Sequence, residues 1–157
     1  MRKQKGFSLI ELLIVVAIIL IIAAIAIPNL LRSRIAANES SAVGSVRSIN
    51  TAQVTYASTY PDVGFAYKLS DLGPTATATT PPTSSASGLL DGVLGCGTTC
   101  KKSGYQFVLS GGGSSYAVNG DPQDPGNSGQ RRFYSDGSGV IRSNQSASAT
   151  VSDTPIQ

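Results

Sequence analysis

The chain has 157 residues, no His and no Trp, and 12 basic against 9 acidic residues, for a formal charge of +3. The absence of His excludes imidazole-based acid–base, triad and metal chemistry, and no G-x-x-x-x-G-K-[ST] loop is present to cradle a phosphate. Arg2, Lys3 and Lys5 carry the charge excess, so the chain beyond Gly6 is balanced; its basic pairs, Lys101–Lys102 and Arg131–Arg132, do not extend into the clustered face that nucleic-acid binding requires.

Residues 1–6, "MRKQKG", form a short basic leader, and from Leu12 to Ile27 every residue is apolar. Residues 7–31 meet the length of about 20 mostly apolar residues that a membrane-crossing helix needs. The basic flank predicts that residues 1–6 stay cytoplasmic while the rest crosses outward. Ala23-Ala24-Ile25-Ala26 has the small residues of a secretory cleavage site. The apolar run is nevertheless longer than an ordinary signal core and continues unbroken into a helix-forming sequence.

Two residues bound the apolar run. Glu11 puts a carboxylate where a bilayer makes it costly, about 2.5–3.5 kcal/mol at the centre and less near the interface. It lies about 6 Å along a helix from the position of Phe7. The residues predict that Glu11 waits for a cation, because a buried ion pair stabilises poorly but fixes register well. Pro28 lacks an N–H and clashes with the preceding turn, so it predicts a kink or a local melting of the helix. Arg32 and Arg34 follow, placed to meet headgroups, neighbouring subunits or solvent.

Residues 32–60 read as the amphipathic half of the same helix. Val43, Val46, Ile49, Val54, Ala57 and Tyr60 recur at three- and four-residue steps, with Asn50 and Gln53 as breaks in the stripe. Ser41, Ser45, Ser48, Thr51 and Thr55 fall on the opposite side, and Pro61 ends the helix.

Residues 61–103 are a long connection. Its segment "PTATATTPPTSSAS", Pro74 to Ser87, is rich in Ser, Thr and Pro and reads as an exposed loop of the kind that carries O-linked sugars. "GLLDGVLG" reads as one helical turn. Cys96 and Cys100 follow as the chain's two cysteines, spaced C-G-T-T-C. Two thiols without His make no structural zinc site. Three intervening residues suit a small disulfide loop, which persists in an oxidising compartment. Two free thiols and a redox-active pair are the other readings, and Gly97 and the loop context argue against the latter.

From 104 to 144 the pattern turns to short strands. Tyr105, Phe107 and Leu109 alternate, "GGGSS" is a turn, "YAVNG" alternates again, and "RRFYS" and "VIRS" read as a hairpin around Asp136-Gly137. Three to four antiparallel strands covering one face of a long helix make an α+β fold. The polar tail, 145–157, reads as flexible. "GDPQDPGNSGQRRFYSDGSG" contains Asp121, Asp124 and Asp136 among many turn carbonyls. They are calcium candidates by oxygen content alone; the spacing is not that of an EF-hand, and Asp is common in turns.

The stretch "KGFSLIELLIVVAIILIIAAIAIPNLL", through Gly6, Phe7, Glu11, the apolar run and Pro28, resembles the N-terminus of bacterial type IV pilins and type II secretion pseudopilins. The resemblance implies cleavage between Gly6 and Phe7 by a prepilin peptidase that requires a small residue before the cut, and N-methylation of the new Phe7 amine. It implies that Glu11 pairs with the Phe7 amine of a neighbouring subunit in a filament, and that the stretch before Pro28 unwinds on assembly. Major pseudopilins carry a calcium site in a C-terminal loop, which gives the three aspartates their family context. The chain departs from pilins in which two cysteines enclose a large C-terminal loop, since here they enclose three residues and precede the sheet.

The expected function is therefore that of a prepilin, a pilus subunit acting in adhesion, motility or secretion, with no catalysis and no cofactor of its own. A type II secretion pseudopilin or a minor pilin is the alternative within the family; a single-span anchored domain or exported hydrolase lies outside it. The implied partners are other pilin subunits, the prepilin peptidase and methyltransferase, an inner-membrane assembly platform and the membrane itself. The implied location is the inner membrane with a cytoplasmic N-terminus, then a periplasmic or extracellular filament.

Overall fold

The computed structural model describes residues 6–77 and 79–156; the basic leader residues Arg2, Lys3 and Lys5 lie outside the described residues. Helix α1 spans Leu9–Thr59, a 3-10 turn spans Leu69–Leu72, and six strands follow: β1 (Thr99–Lys102), β2 (Tyr105–Gly112), β3 (Ser115–Pro122), β4 (Arg132–Asp136), β5 (Arg142–Asn144) and β6 (Thr154–Pro155). Contacts divide the chain into two units, one ending at Arg34 and one beginning at Ile35.

In the first unit the helix is continuous through Pro28. Proline has no N–H to give to the carbonyl four residues earlier, and the helix continues past that missing bond. Except for the half-buried Ala23, the side chains from Leu9 to Leu30 are exposed, with Leu9 80% and Leu30 72% exposed.

The second unit holds the core. Its part of α1 buries Ile35, Glu39, Ala42, Ser45, Val46, Ile49, Asn50, Ala52, Gln53 and Tyr56. That face differs from the predicted stripe. Val46 and Ile49 are at its centre, but Val54 is 58% exposed, while Ser45, Asn50 and Gln53 are buried. The shift follows from partners far along the chain. Asn50 Nδ2 donates to Ser135 Oγ at 2.8 Å and its Oδ1 accepts from Tyr116 Oη at 3.1 Å, so the polar side chain is paid for by two hydrogen bonds. The helix stops at Thr59, just before the Tyr60-Pro61 step. Gly64, at φ +76°, takes the left-handed conformation in the turn that follows.

The six strands pair consecutively and antiparallel, in the order β1-β2-β3-β4-β5-β6. The alternation of Tyr105, Phe107 and Leu109 puts all three inside, beside Tyr116, Val118 and Phe133 from the neighbouring strands. Each such side chain, removed from water, contributes about 1.5–3 kcal/mol. Gly120 leaves room for the Phe107 ring, since a Cβ there would meet it at 3.0 Å and Val46 at 3.7 Å.

The sheet is wider than the predicted three to four strands. β1 lies in the segment read as loop and β6 in the tail read as flexible. The tail is held across the side of the sheet away from the core: Asn119 Nδ2 donates to the Ala149 carbonyl at 2.9 Å, and Asn144 Nδ2 to Asp153 Oδ1 at 2.8 Å. Ala149 is 2% exposed as a result. The β4–β5 connection is also longer than a two-residue turn at Asp136-Gly137. The pairing closes at Tyr134↔Arg142, and Val140 lies in the loop, its carbonyl accepting from Ser135 Oγ at 3.0 Å.

Candidate functional site

The N-terminal unit carries the residues singled out by the sequence. Gly6, Phe7 and Ser8 precede the helix, Glu11 lies in its first turn, and Pro28 lies within it. The Leu12 N–H donates to the Ser8 carbonyl at 3.2 Å, so Ser8 is the N-cap. Three residues on, Glu11 Oε2 accepts the Ser8 backbone N–H at 2.9 Å. This is one half of a capping box, in which an acid at the third helical position satisfies an orphan N–H at the cap. Its negative charge also faces the positive end of the helix macrodipole. The signal for it was the string S-L-I-E, the S-x-x-E of a capping box, which the charge argument on Glu11 had left unread.

The capping bond uses one oxygen of the carboxylate. An ionised carboxylate offers about four lone-pair sites, so Glu11 retains acceptor capacity for a cation. Behind it, α1 is long and apolar enough to cross a membrane, and no residue of its most apolar stretch is buried.

The other candidates lie in the second unit. The sulfurs of Cys96 and Cys100 are bonded, with Cα atoms 5.7 Å apart. Cys100 is buried on β1, and the enclosed loop is tied to the 3-10 turn by Ser70 N–H donating to the Gly97 carbonyl at 3.0 Å.

The three aspartates do not converge. Asp121 Oδ2 accepts from Ser148 Oγ at 2.8 Å, Asp124 Oδ2 from Asn127 Nδ2 at 2.8 Å, and Asp136 Oδ1 from the Ser138 N–H at 2.9 Å. The Ser138 side-chain and backbone hydrogen bonds hold Asp136 below the usual carboxylate range against the opposing effect of burial. Among the described residues no group of three His, Cys, Asp or Glu side chains is placed to hold a metal ion.

A buried acid that the sequence did not mark organises the Asp124–Arg131 loop. Glu39 is 7% exposed. Its Oε1 accepts the N–H groups of Gln130 and Arg131 at 2.9 and 3.0 Å, and its Oε2 accepts Arg131 Nε at 2.8 Å. Burial pushes its pKa up, but the two backbone N–H groups and the Arg131 guanidinium outweigh that and hold it below the ordinary value. Next to it, Asn38 Nδ2 donates to the Ser128 carbonyl at 2.8 Å.

The family-model match lies within the first unit. Residues 1–27 match the family model described as the prokaryotic N-terminal methylation motif. The chain is 65% identical over 40 residues to the type IV wide pilus major component PilA4 of Thermus thermophilus, which covers 26% of this chain and 30% of the relative. It is 46% identical over 54 residues to the type IV major pilin protein PilA of Myxococcus xanthus, covering 34% of this chain and 24% of the relative. It is 39% identical over 56 residues to the type II secretion system core protein G of Vibrio cholerae, covering 36% of this chain and 38% of the relative. The matched part thus spans well under half the length of these curated relatives. No solved structure gives a significant match. The chain thus carries a prokaryotic N-terminal methylation motif at residues 1–27 and is similar, over part of its length, to type IV pilins and to a type II secretion core protein.

Proposed function

We propose that this chain is a prepilin whose processed form is the structural subunit of a type IV pilus filament, assembled through its N-terminal helix for adhesion, motility or secretion. The observation that carries the reading is the pairing of an exposed apolar helical surface with one acid in the first turn, inside the segment that matches the methylation motif. Exposed apolar surface of that extent requires a membrane or other subunits to cover it.

On this reading a prepilin peptidase cuts between Gly6 and Phe7, and the new Phe7 amine is methylated. Residues 7–31 anchor the precursor in the inner membrane with its N-terminus cytoplasmic, then enter the filament core through the assembly platform. Glu11 keeps its bond to Ser8 and receives the Phe7 amine of a neighbouring subunit on its remaining acceptor sites. Pro28 is the point at which the helix yields. Residues 32–60 serve as scaffold, and the rest of the chain faces solvent in the periplasm or outside the cell, where the Cys96–Cys100 bridge persists.

The test compares the chain with its Glu11→Ala variant in native cells, by immunoblot of sheared surface fibres and of membranes. The reading expects wild-type chain in the fibres, and a processed E11A chain confined to the membrane. E11A fibres equal to wild type would refute the assembly role of Glu11. A second reading, a type II secretion pseudopilin, draws on the likeness to core protein G. It expects processed wild-type chain in membranes and none in sheared fibres.

A further inference from the structure

The exposed face of α1 in the second unit includes Arg47, Ser48, Thr51, Val54, Thr55 and Ser58, which recur at helical spacing. Arg47 is the one charged residue between Gly44 and Thr59. The hydroxyls of this face are turned inward. Ser48 Oγ donates to the Gly44 carbonyl at 3.0 Å, Thr51 Oγ1 to Arg47 at 3.0 Å, Thr55 Oγ1 to Thr51 at 2.9 Å, and Ser58 Oγ to Val54 at 2.9 Å. A hydroxyl that has given its proton to the carbonyl four residues back leaves no donor to be orphaned when water is removed. The face is polar by composition, yet it costs little to bury, and the apolar Val54 stands exposed within it.

Three shallow grooves join along this face into one belt. The first is lined by Arg47, Ser48, Thr51, Ala52, Thr55 and Leu89. Thr51 and Thr55 also border the second, with Val54 on the helix side and Gly137, Ser138 and Gly139 of the β4–β5 loop opposite. Gly137 and Ser138 in turn border the third, which lies on the sheet against Ser110, Ala117, Tyr134 and Asp136. The belt therefore carries one charge at each end, Arg47 and Asp136. Among the described residues neither is in an ion pair. Asp136 Oδ1 accepts the Ser138 N–H at 2.9 Å, and its Oδ2 accepts Tyr134 Oη at 3.4 Å, so these partners are neutral. The neighbouring cation, Arg142, directs its Nη1 to the Asp153 carbonyl at 3.1 Å instead.

We propose that this belt is a contact between the second units of neighbouring copies of the chain, with Arg47 of one copy seated beside Asp136 of the next. A second copy is the partner that the charges fit. Both members of the pair lie on one chain, and the chain beyond Gly6 is balanced in charge, so copies do not repel as wholes. Gly137, Ser138 and Gly139 put no bulky side chain in the way of the neighbour's helix. A contact between two different patches of the same molecule runs head to tail, and where the rotation does not close it continues as a filament. The inference rests on the filament reading and deepens it. The Ser/Thr face of α1 is buried between copies, and the rest of the sheet face stays in solvent.

The experiment compares four full-length chains in native cells: wild type, Arg47→Glu, Asp136→Asn and the double variant R47E/D136N. Sheared fibres and membranes are quantified by immunoblot, and intact mass reports where each chain begins. D136N removes the charge but keeps an oxygen for the Ser138 N–H, and unfolding midpoints of the solubilised chains check that all four fold. R47E sets two acids against each other, so its share in fibres is expected to fall at least about fivefold, with processing unchanged. D136N loses only the attraction and is expected to fall by less, about two- to fivefold. In R47E/D136N the repulsion is gone, and its fibres are expected to recover to the D136N level. R47E fibres equal to wild type, or a double variant that falls by the product of the two single losses, overturns the contact while leaving the filament reading in place. A wild-type chain that is uncut, or absent from fibres, overturns the filament reading and the contact with it.

Discussion

Gln53 and Ala66 bond each other twice. Gln53 Nε2 donates to the Ala66 carbonyl at 3.1 Å, and the Ala66 N–H donates to Gln53 Oε1 at 2.8 Å. Both residues are fully buried. A side-chain amide here takes the place of a neighbouring strand, closing the backbone of the segment after the helix onto the helix itself. Gln53→Ala leaves two core backbone groups unpaired and opens a cavity. The expected loss is about 2–4 kcal/mol, from the cost of unpaired buried groups plus the void, read as a fall in the thermal or urea unfolding midpoint of the detergent-solubilised chain. Gln53→Glu keeps the acceptor and loses the donor. It is expected to destabilise more at neutral pH than near pH 4, where the protonated acid restores a donor.

Glu39 gives the fold an acid sensitivity. Its folded pKa is depressed by the N–H groups of Arg131 and Gln130 and by the Arg131 guanidinium, which overcome burial. A depressed carboxylate contributes stability that is present above its unfolded value of about 4.3 and is lost as pH falls through the folded value. Unfolding midpoints of wild type are expected to fall below about pH 4.3 more steeply than those of Glu39→Gln, which carries no titrating group there. Equal slopes would remove Glu39 from the account. At neutral pH, Glu39→Ala is expected to cost about 1–3 kcal/mol, more than Arg131→Ala, because it orphans two backbone N–H groups.

Gly112 sits at φ +136° with the Tyr67 ring where a Cβ would project. Gly112→Ala therefore meets both backbone strain and a clash, and is expected to cost at least ~1 kcal/mol. In the Tyr67→Ala background the clash is gone and only the strain remains. A double-mutant cycle on unfolding midpoints should therefore find the double variant less destabilised than the sum of the two single variants; additive effects would contradict the contact.

The Cys96–Cys100 bridge encloses a short loop, so its entropic stabilisation is limited to about 2 kcal/mol. Reduction, or the Cys96→Ala/Cys100→Ala pair, is expected to lower the unfolding midpoint without abolishing folding. Thiol titration of the chain from native cells is expected to find no free thiol before reduction and two after it. Two free thiols at the outset would contradict an oxidising location.

What could be read from residues alone follows from how local each interaction is. The long helix and the inward set Tyr105, Phe107 and Leu109 were legible because each repeats at its own backbone period. Asn50 and Gln53 were misread as breaks because their partners, Tyr116, Ser135 and Ala66, are set by the tertiary fold rather than by spacing. Glu39 was silent for the same reason, its partners lying 91 and 92 residues on. The tail looked polar and loose, yet Asp153 accepts bonds from Asn144 Nδ2 at 2.8 Å and the Thr150 N–H at 2.7 Å, which fold it back on the sheet. At the N-terminus, Gly6, Phe7 and Glu11 fall within the matched residues 1–27, while the Ser8 cap was written in the sequence and overlooked because the membrane cost of the acid dominated the reading.

The central claim is that the chain is cut after Gly6 and built into fibres through the helix that begins at Leu9. Intact-mass spectrometry on sheared surface filaments and, separately, on membranes tests it most directly. The account predicts an N-terminus at Phe7 bearing one added methyl group, abundant in the fibres. A chain still beginning at Met1 in both fractions would contradict it and leave a simple membrane anchor.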